Sequence, residues 1–320
     1  MQRRLLGRTG IAITPIAMGC WPITGITSID VTESHSLQTL EAALDAGINV
    51  FDTAYCYGYD GESERMIGRA LGDRREEIVI ATKGGIHWQD RTQVKDGRPE
   101  TLRRECDESL QRLGTDRVEL YYLHAPDPNV PLAESAGAIR DLIDAGKVLS
   151  AGLSNATRAQ LAEFHRVCPL AAYQPHYNML QREMESSQWP WCVEHGVSVM
   201  VYWPLMKGLL AGKLRRDHQW NPRDGRRKYP MFQGEEWRKT HDFIDRLRPL
   251  ADEAGLTLAQ LVIQWTVSRP GITAALCGAK RPEQIRENAA ALDRPLSEDQ
   301  IARINQTIAD RGPAISRAAV

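Results

Sequence analysis

Residues 48–58 read Ile48-Asn49-Val50-Phe51-Asp52-Thr53-Ala54-Tyr55-Cys56-Tyr57-Gly58. The apolar, β-branched start is the pattern of a buried strand, and the polar remainder ending in glycine is that of a loop leaving it. The strand end carries two titratable side chains, Asp52 and Tyr57, five positions apart. A phenol with an ordinary pKa of about 10 is a poor acid at neutral pH. To donate a proton, Tyr57 needs a nearby cation, and that cation needs a carboxylate such as Asp52 to hold it. By itself the stretch also fits an aspartate capping the next turn beside an ordinary half-buried tyrosine. The other strands of the chain decide between the two.

Working outward, the alternation repeats. The pattern predicts a short hairpin over residues 3–13, turning at Arg8-Thr9-Gly10, and a strand at about Pro15–Gly19 that ends in Gly19-Cys20-Trp21. Further strands are predicted at Val50–Thr53, Ile78–Lys83, Val118–His124, Leu149–Ser154, Ala171–Gln174, Val197–Trp203 and Thr273–Cys277. Helical patterns lie between them, near 31–46, 62–71, 99–112, 132–145, 157–166, 181–195 and 257–268. Most of the strands are near-continuous apolar runs, as expected of parallel strands covered on both faces. Eight βα units predict a closed (β/α)8 TIM barrel with an N-terminal β-hairpin cap, as a single domain over 1–320. An open doubly wound sheet is the alternative, but the G-x-G-x-x-G fingerprint it needs after its first strand is absent, Gly19 standing alone.

The bulk properties agree. In 320 residues, 40 Lys+Arg stand against 41 Asp+Glu, a formal charge of -1 that gives no global bias toward nucleic acid or membrane. The six cysteines are scattered without a C-x-x-C pair, which argues against a disulfide framework or zinc site and suits a cytoplasmic protein. Basic residues near Met1 have no apolar segment behind them, so neither a leader nor a membrane span is expected.

A barrel places its chemistry at the C-terminal ends of its strands. Those ends deliver Trp21, Asp52, Lys83, His124, Ser154-Asn155, Gln174, Tyr202 and the Gly278-Ala279-Lys280 turn. Lys83 closes an apolar strand and needs a partner to be buried, which Asp52 supplies from the neighbouring strand. The pair would set an ammonium beside Tyr57, favour the phenolate and bring its pKa toward the working range. His124, one strand further, can hydrogen-bond a substrate oxygen or share in the proton donation. A single histidine here is too few ligands for a metal. Such a site supplies a proton and a dipole to a carbonyl but no electrons, so reduction requires a hydride carrier. Ser154, Asn155 and Gln174 suit a carboxamide, and Tyr202 offers a flat face to a ring. The turn Pro204-Leu205-Met206-Lys207-Gly208 and residues 278–281 offer N–H groups and cations to phosphates.

The chain resembles the aldo-keto reductases over almost its whole length. The resemblance rests on Leu6-Gly7-Arg8-Thr9-Gly10, Phe51-Asp52-Thr53-Ala54 with Tyr57-Gly58, Ala81-Thr82-Lys83, and Leu123-His124 with Asp127. It continues through Gly146-Lys147-Val148, Gly152-Leu153-Ser154-Asn155, Gln174 with Tyr177-Asn178, Pro204-Leu205 with Gly208-Leu209-Leu210 and Gly212-Lys213, and Glu287-Asn288. It implies a nicotinamide cofactor across the barrel mouth, bordered by Gly19, Cys20 and Trp21. Tyr57 would be the general acid, tuned by Lys83 and Asp52, with His124 orienting the carbonyl. Ser154, Asn155 and Gln174 would hold the carboxamide, and Tyr202 would stack on the nicotinamide. The 204–213 loop, with Pro204, Leu205, Lys207, Gly208, Leu210 and Lys213, would cover the pyrophosphate. Lys280, Gln284, Glu287 and Asn288 would surround the adenosine, with Gly278 and Ala279 also among the cofactor contacts.

The departures from the family pattern are informative. Gln284 stands where many relatives have an arginine for the 2'-phosphate, although Lys280 or Arg281 can serve NADPH. NADPH is therefore the expected cofactor, with NADH possible. Gly84-Gly85 follow Lys83 where some relatives have an aromatic, and His87 and Trp88 are expected to form that substrate wall with Trp21. The tail Arg311–Val320 lacks an aromatic-rich loop, which predicts a pocket wide on that side. The basic run over 213–228 reads as a flap over the phosphates rather than a nucleic-acid arm. Cys56 reads as a small space-filler rather than a redox handle. The expected activity is NADPH-dependent reduction of a small-molecule aldehyde or ketone by a monomer or homo-oligomer. A cofactor-sensing regulatory subunit and an NAD-dependent sugar or polyol dehydrogenase are the alternatives.

Overall fold

A computed structural model describes residues 1–312 of the chain. Two short strands, β1 (Arg4–Leu5) and β2 (Ala12–Ile13), pair antiparallel as the expected hairpin. The chain then alternates β3 (Ile16–Gly19), α1 (Glu33–Asp45), β4 (Val50–Asp52), α2 (Glu62–Leu71) and β5 (Val79–Gly84). A second hairpin, β6 (Ile86–Gln89) with β7 (Thr92–Lys95), precedes α3 (Pro99–Leu113) and β8 (Leu120–Leu123). Next come α4 (Leu132–Asp144), β9 (Ala151–Ser154), α5 (Arg158–Val167), β10 (Leu170–Gln174), α6 (Gln188–His195) and β11 (Ser198–Tyr202). The remainder is α7 (Gly234–Ala254), α8 (Leu258–Ser268), β12 (Ile272–Gly278), α9 (Pro282–Ala289) and α10 (Glu298–Arg311). Strands β3, β4, β5, β8, β9, β10, β11 and β12 close in that order into an all-parallel barrel, with β12 pairing back onto β3. The fold is the (β/α)8 barrel that the alternation implies.

Residue chemistry explains the layers. Strand side chains alternate between the barrel interior and the helices, so two apolar clusters form. The smaller one, including Ala17, Val50, Ala81, Leu120, Tyr122, Met200 and Ala274, also contains Leu6 and Ile13 of the first hairpin. The hairpin thus plugs the N-terminal end of the barrel. Arg4 donates to the carbonyls of Ile272 and Val267, and Gly7 N–H donates to Ser198 Oγ at 2.7 Å. The larger cluster fills the space between strands and helices. Gly152 in β9 is required by close packing: a Cβ there would lie 2.2 Å from the Tyr122 ring.

The structure departs from expectation in identifiable places. The strands are shorter than their apolar runs; Val118, for example, forms only an isolated bridge with Val148 ahead of β8. Helix α7 has no counterpart in the sequence reading, although Phe243, Ile244, Leu247, Leu250 and Ala251 bury one face of it. Its polar composition and the internal Pro249 mask that period, the proline removing one backbone donor from the helix interior. The β6–β7 hairpin likewise has no counterpart in the sequence reading. Residues 313–320, most of the tail expected to leave the pocket wide, lie outside the described residues. No described helix is long and apolar enough to cross a membrane.

Candidate active site

The C-terminal mouth of the barrel gathers the residues expected there. Asp52 ends β4 and Lys83 lies near the end of β5, and both are buried. Lys83 Nζ donates to Asp52 Oδ1 at 2.5 Å and to the Thr53 carbonyl at 2.6 Å. Gln174, at the end of β10, donates from Nε2 to Asp52 Oδ2 at 2.6 Å, so both carboxylate oxygens have partners. The loop after β4 is pinned by Tyr55 N–H to the Lys83 carbonyl at 2.9 Å and by Ser63 N–H to the Tyr57 carbonyl at 3.1 Å. That brings Tyr57 Oη to 3.5 Å from Lys83 Nζ. His124, immediately after β8, lies beside Tyr57, the two ring centroids 6.0 Å apart. Trp21 packs edge-on against Tyr57 at 5.1 Å. Tyr57 and His124 are each half-buried, lining the mouth without being sealed from it.

The electrostatics correct one expectation. The Tyr57 phenol is raised well above its ordinary pKa, first by burial and then by the Asp52 carboxylate. The Lys83 ammonium does not outweigh these two effects, its charge being matched by Asp52 a full ångström closer than Tyr57 Oη. The phenol is therefore loaded with its proton. The His124 imidazole is held well below the usual histidine range by burial and by the nearby Lys83 charge, so it is neutral. A protonated phenol and a neutral imidazole around one point can donate two hydrogen bonds to a carbonyl oxygen and deliver one proton.

A second group lies along the adjoining rim. Ser154 Oγ donates to the Gln174 carbonyl at 2.9 Å. Asn155, in the left-handed region at φ 56°, donates from Nδ2 to the His124 carbonyl and accepts from Tyr202 Oη at 2.7 Å. After β11 the backbone turns sharply, with Trp203, Met206 and Lys207 at positive φ ahead of Gly208 at 89°. Leu210 is fully buried there, so that loop offers a ligand its backbone and Lys207 rather than the leucine side chain. Cys20 is also fully buried, with Sγ against the Met18 carbonyl, and Ala279 and Asn288 are buried. Lys213 and Glu287 are paired with each other at 2.5 Å, clasping the loop to α9. Lys280 Nζ donates to the Ile29 carbonyl at 2.7 Å, and Gln284 Oε1 accepts from Lys280 N–H.

The structure separates the two residues expected in the substrate wall, His87 and Trp88. Along β6 successive side chains face opposite ways. Trp88 turns to the mouth, donating from Nε1 to the Cys56 carbonyl at 2.9 Å. His87 turns away and pairs with the buried Glu105 at 2.9 Å, lining an outer cleft with Asp96, Arg98 and Asp127. Gln93, paired with Trp88 across the hairpin, takes the inner place that His87 was expected to fill, its Nε2 3.7 Å from Cys56 Sγ. The signal for it was the short alternating run on either side of Asp90-Arg91, both left-handed in the turn. Arg226, within the basic run expected to form a flap, is held by the buried Asp224 at 2.7 Å and reaches the Lys207 carbonyl. Among the described residues no group of His, Cys, Asp and Glu side chains is arranged to hold a metal.

Known proteins share this arrangement of chain. A family model described as the Aldo/keto reductase family matches residues 15–309. The chain is 34% identical over 304 residues to aldo-keto reductase YhdN of Bacillus subtilis (strain 168), spanning 94% of this chain and 92% of that one. It is 34% identical over 314 residues to the NADH-specific methylglyoxal reductase of Escherichia coli (strain K12), spanning 93% and 95% respectively. A solved glycerol dehydrogenase from Gluconobacter oxydans matches with a TM-score of 0.90 and 30% identity, covering 100% of this chain and 98% of that one.

Proposed function

This chain belongs to the aldo/keto reductase family of oxidoreductases, and we propose that it acts as one undivided domain reducing aldehydes or ketones to alcohols, reversibly, with NADPH. The observation that carries the reading is the cluster at the mouth: a buried Lys83–Asp52 pair, with Tyr57 Oη 3.5 Å from the ammonium and a neutral His124 beside it. Tyr57 is the general acid. It starts protonated, and as its proton leaves for the substrate oxygen the developing phenolate meets the Lys83 ammonium, an interaction stronger in the transition state than before it. Asp52 holds that ammonium in place, and Gln174 holds Asp52. His124 donates a hydrogen bond to the same oxygen and orients it. Trp21 and Trp88 are the apolar walls.

The donor set along the rim fits a nicotinamide cofactor, whose chemistry when bound is to supply the hydride. Ser154, Asn155 and Gln174 present neutral amide and hydroxyl groups for the carboxamide, and Tyr202 the ring face. The left-handed turn at 206–208 suits a pyrophosphate, and Lys280 and Arg226 supply cations toward the adenosine end. Those two cations favour NADPH, with NADH as the alternative that Gln284 leaves open.

Intrinsic fluorescence, to which Trp21 and Trp88 contribute among eight tryptophans, during titration with NADPH and NADH tests the cofactor. Turnover of 4-nitrobenzaldehyde by wild type and Tyr57→Phe tests the chemistry, with kcat expected to fall roughly 10²–10⁴-fold in the variant. Tight binding without turnover across varied carbonyls would indicate a cofactor-sensing subunit. The similarity to a glycerol dehydrogenase favours a second reading, NAD-dependent polyol oxidation. Faster glycerol oxidation with NAD than aldehyde reduction with NADPH would select it.

A further inference from the structure

Cys56, the residue before Tyr57, is 1% exposed, and its surroundings are built. Trp88 and Gln93 face each other across the β6–β7 hairpin, and both reach this one residue. The indole N–H of Trp88 holds its carbonyl at 2.9 Å, and the amide N–H of Gln93 points at its sulfur at 3.7 Å. The other side of Sγ meets His124 Nδ1 at 3.6 Å, within the range of a sulfur hydrogen bond. The hairpin is anchored on its outer face as well, by His87 on the buried Glu105 and by Asp96 N–H on the Gly85 carbonyl at 3.0 Å. The thiol is thus contacted from two sides, by the Gln93 amide and by the imidazole at the centre of the site, while Trp88 holds the carbonyl of the same residue.

The direction of that contact follows from counting donors. Burial pushes the Cys56 thiol up to about 12, so it keeps its proton at neutral pH. Gln93 already donates to the sulfur, so the S–H must find an acceptor. A neutral imidazole has one acceptor nitrogen, and Nδ1 is the one within reach. If Nδ1 carried the proton instead, sulfur would face two donors while its own hydrogen pointed at no acceptor. Which ring nitrogen is protonated is set by what the other one bonds.

We infer that Cys56 is a positioning residue for His124: its S–H donates to Nδ1, fixes the imidazole as the Nε2–H tautomer, and leaves Nε2–H as the donor turned to the substrate oxygen. No proton changes hands in this contact. The β6–β7 hairpin, through Gln93 and Trp88, holds the thiol in the required rotamer. The inference rests on the reductase reading for the use made of Nε2–H, while the tautomer itself is a property of the free protein.

Long-range ¹H–¹⁵N correlation spectra of histidine-labelled protein, with His124→Asn to assign the signal, read the tautomer directly. Wild type is expected to show Nε2–H. Cys56→Ala is expected to show a mixture, with kcat reduced roughly tenfold, the equivalent of one ordinary hydrogen bond, and KM little changed. Cys56→Ser keeps a donor at the same position and is expected to restore both the spectrum and most of kcat. An Nδ1–H tautomer in wild type, or an unchanged spectrum in Cys56→Ala, would overturn the inference. Because the spectra are taken without cofactor or substrate, a wild-type protein that turns over no carbonyl would count against the reductase reading and leave the tautomer result standing.

Discussion

Lys83 Nζ and Asp52 Oδ1 lie 2.5 Å apart, with their side chains 0% and 2% exposed. Two charges taken out of water at this depth are tolerable only together, and removing one partner strands the other. Lys83→Met is therefore expected to lower stability by about 3–5 kcal/mol as well as abolish turnover. Tyr57→Phe removes a hydroxyl whose nearest polar partner is 3.5 Å away, and it should leave stability nearly unchanged. Urea unfolding of both variants compares them. Equal midpoints for Lys83→Met and wild type would mean that Asp52 is neutral in the folded protein and the pair is not ionic.

The shifted groups fix the sign of the pH dependence. Reduction needs Tyr57 protonated and His124 neutral. Tyr57 is raised well above 10 and His124 lowered well below 6.5. Each limb of the kcat/KM profile is thereby moved outward, and the rate should stay level from about pH 6 to about pH 9. Alcohol oxidation needs the phenolate as base, so its rate should climb with pH across the same interval. A reduction rate that halves near pH 6.5 would show His124 titrating like a free imidazole.

How much of this was legible depended on whether a feature is set by local pattern or by distance. Asp52, Lys83 and His124 announce themselves as polar residues closing apolar runs, and the eightfold alternation brings those ends to one rim whatever the loop shapes are. The sense of the Tyr57 shift does not follow from composition. It turns first on how deeply the phenol is buried and then on the Asp52 carboxylate, with Lys83 standing closer to Asp52 than to the phenol, all of which only the folded backbone decides. His87 was placed on the wrong face for a related reason. A period of two says that His87 and Trp88 diverge, but not that the run is a strand, nor which of its faces meets the barrel. Gln93 was missed because two four-residue strands offer only a short alternation.

Gly84 follows Lys83 in β5, and an added Cβ would lie 2.0 Å from Tyr121 Oη, whose hydroxyl donates to the Leu102 carbonyl. Tyr121 is fully buried and cannot swing aside. Gly84→Ala is expected to destabilise by about 1–3 kcal/mol, the usual effect of overpacking a filled core. It should also weaken catalysis by displacing Lys83. Combining it with Tyr121→Phe, which frees the space of the hydroxyl, should recover part of the loss in a thermal melt. Failure of that rescue would place the strain elsewhere, against Glu105.

Lys213 and Glu287 meet at 2.5 Å across the loop proposed to cover the pyrophosphate, with side chains 62% and 21% exposed. A pair so open contributes less than about 1 kcal/mol to folding, so Lys213→Ala should leave the melting temperature where it is. Its effect should be on exchange. With the clasp gone, nucleotide should leave several-fold faster, seen as a higher off-rate in stopped-flow fluorescence, while the on-rate changes little. High salt screens an exposed pair, so the wild-type off-rate should rise toward that of the variant as salt is added, and the variant should respond less. Leu209 and Leu210 anchor the same loop from beneath, both fully buried. Equal off-rates in wild type and variant would assign the hold on the loop to those two leucines, and the Lys213–Glu287 contact would then be a surface pair with no part in cofactor exchange.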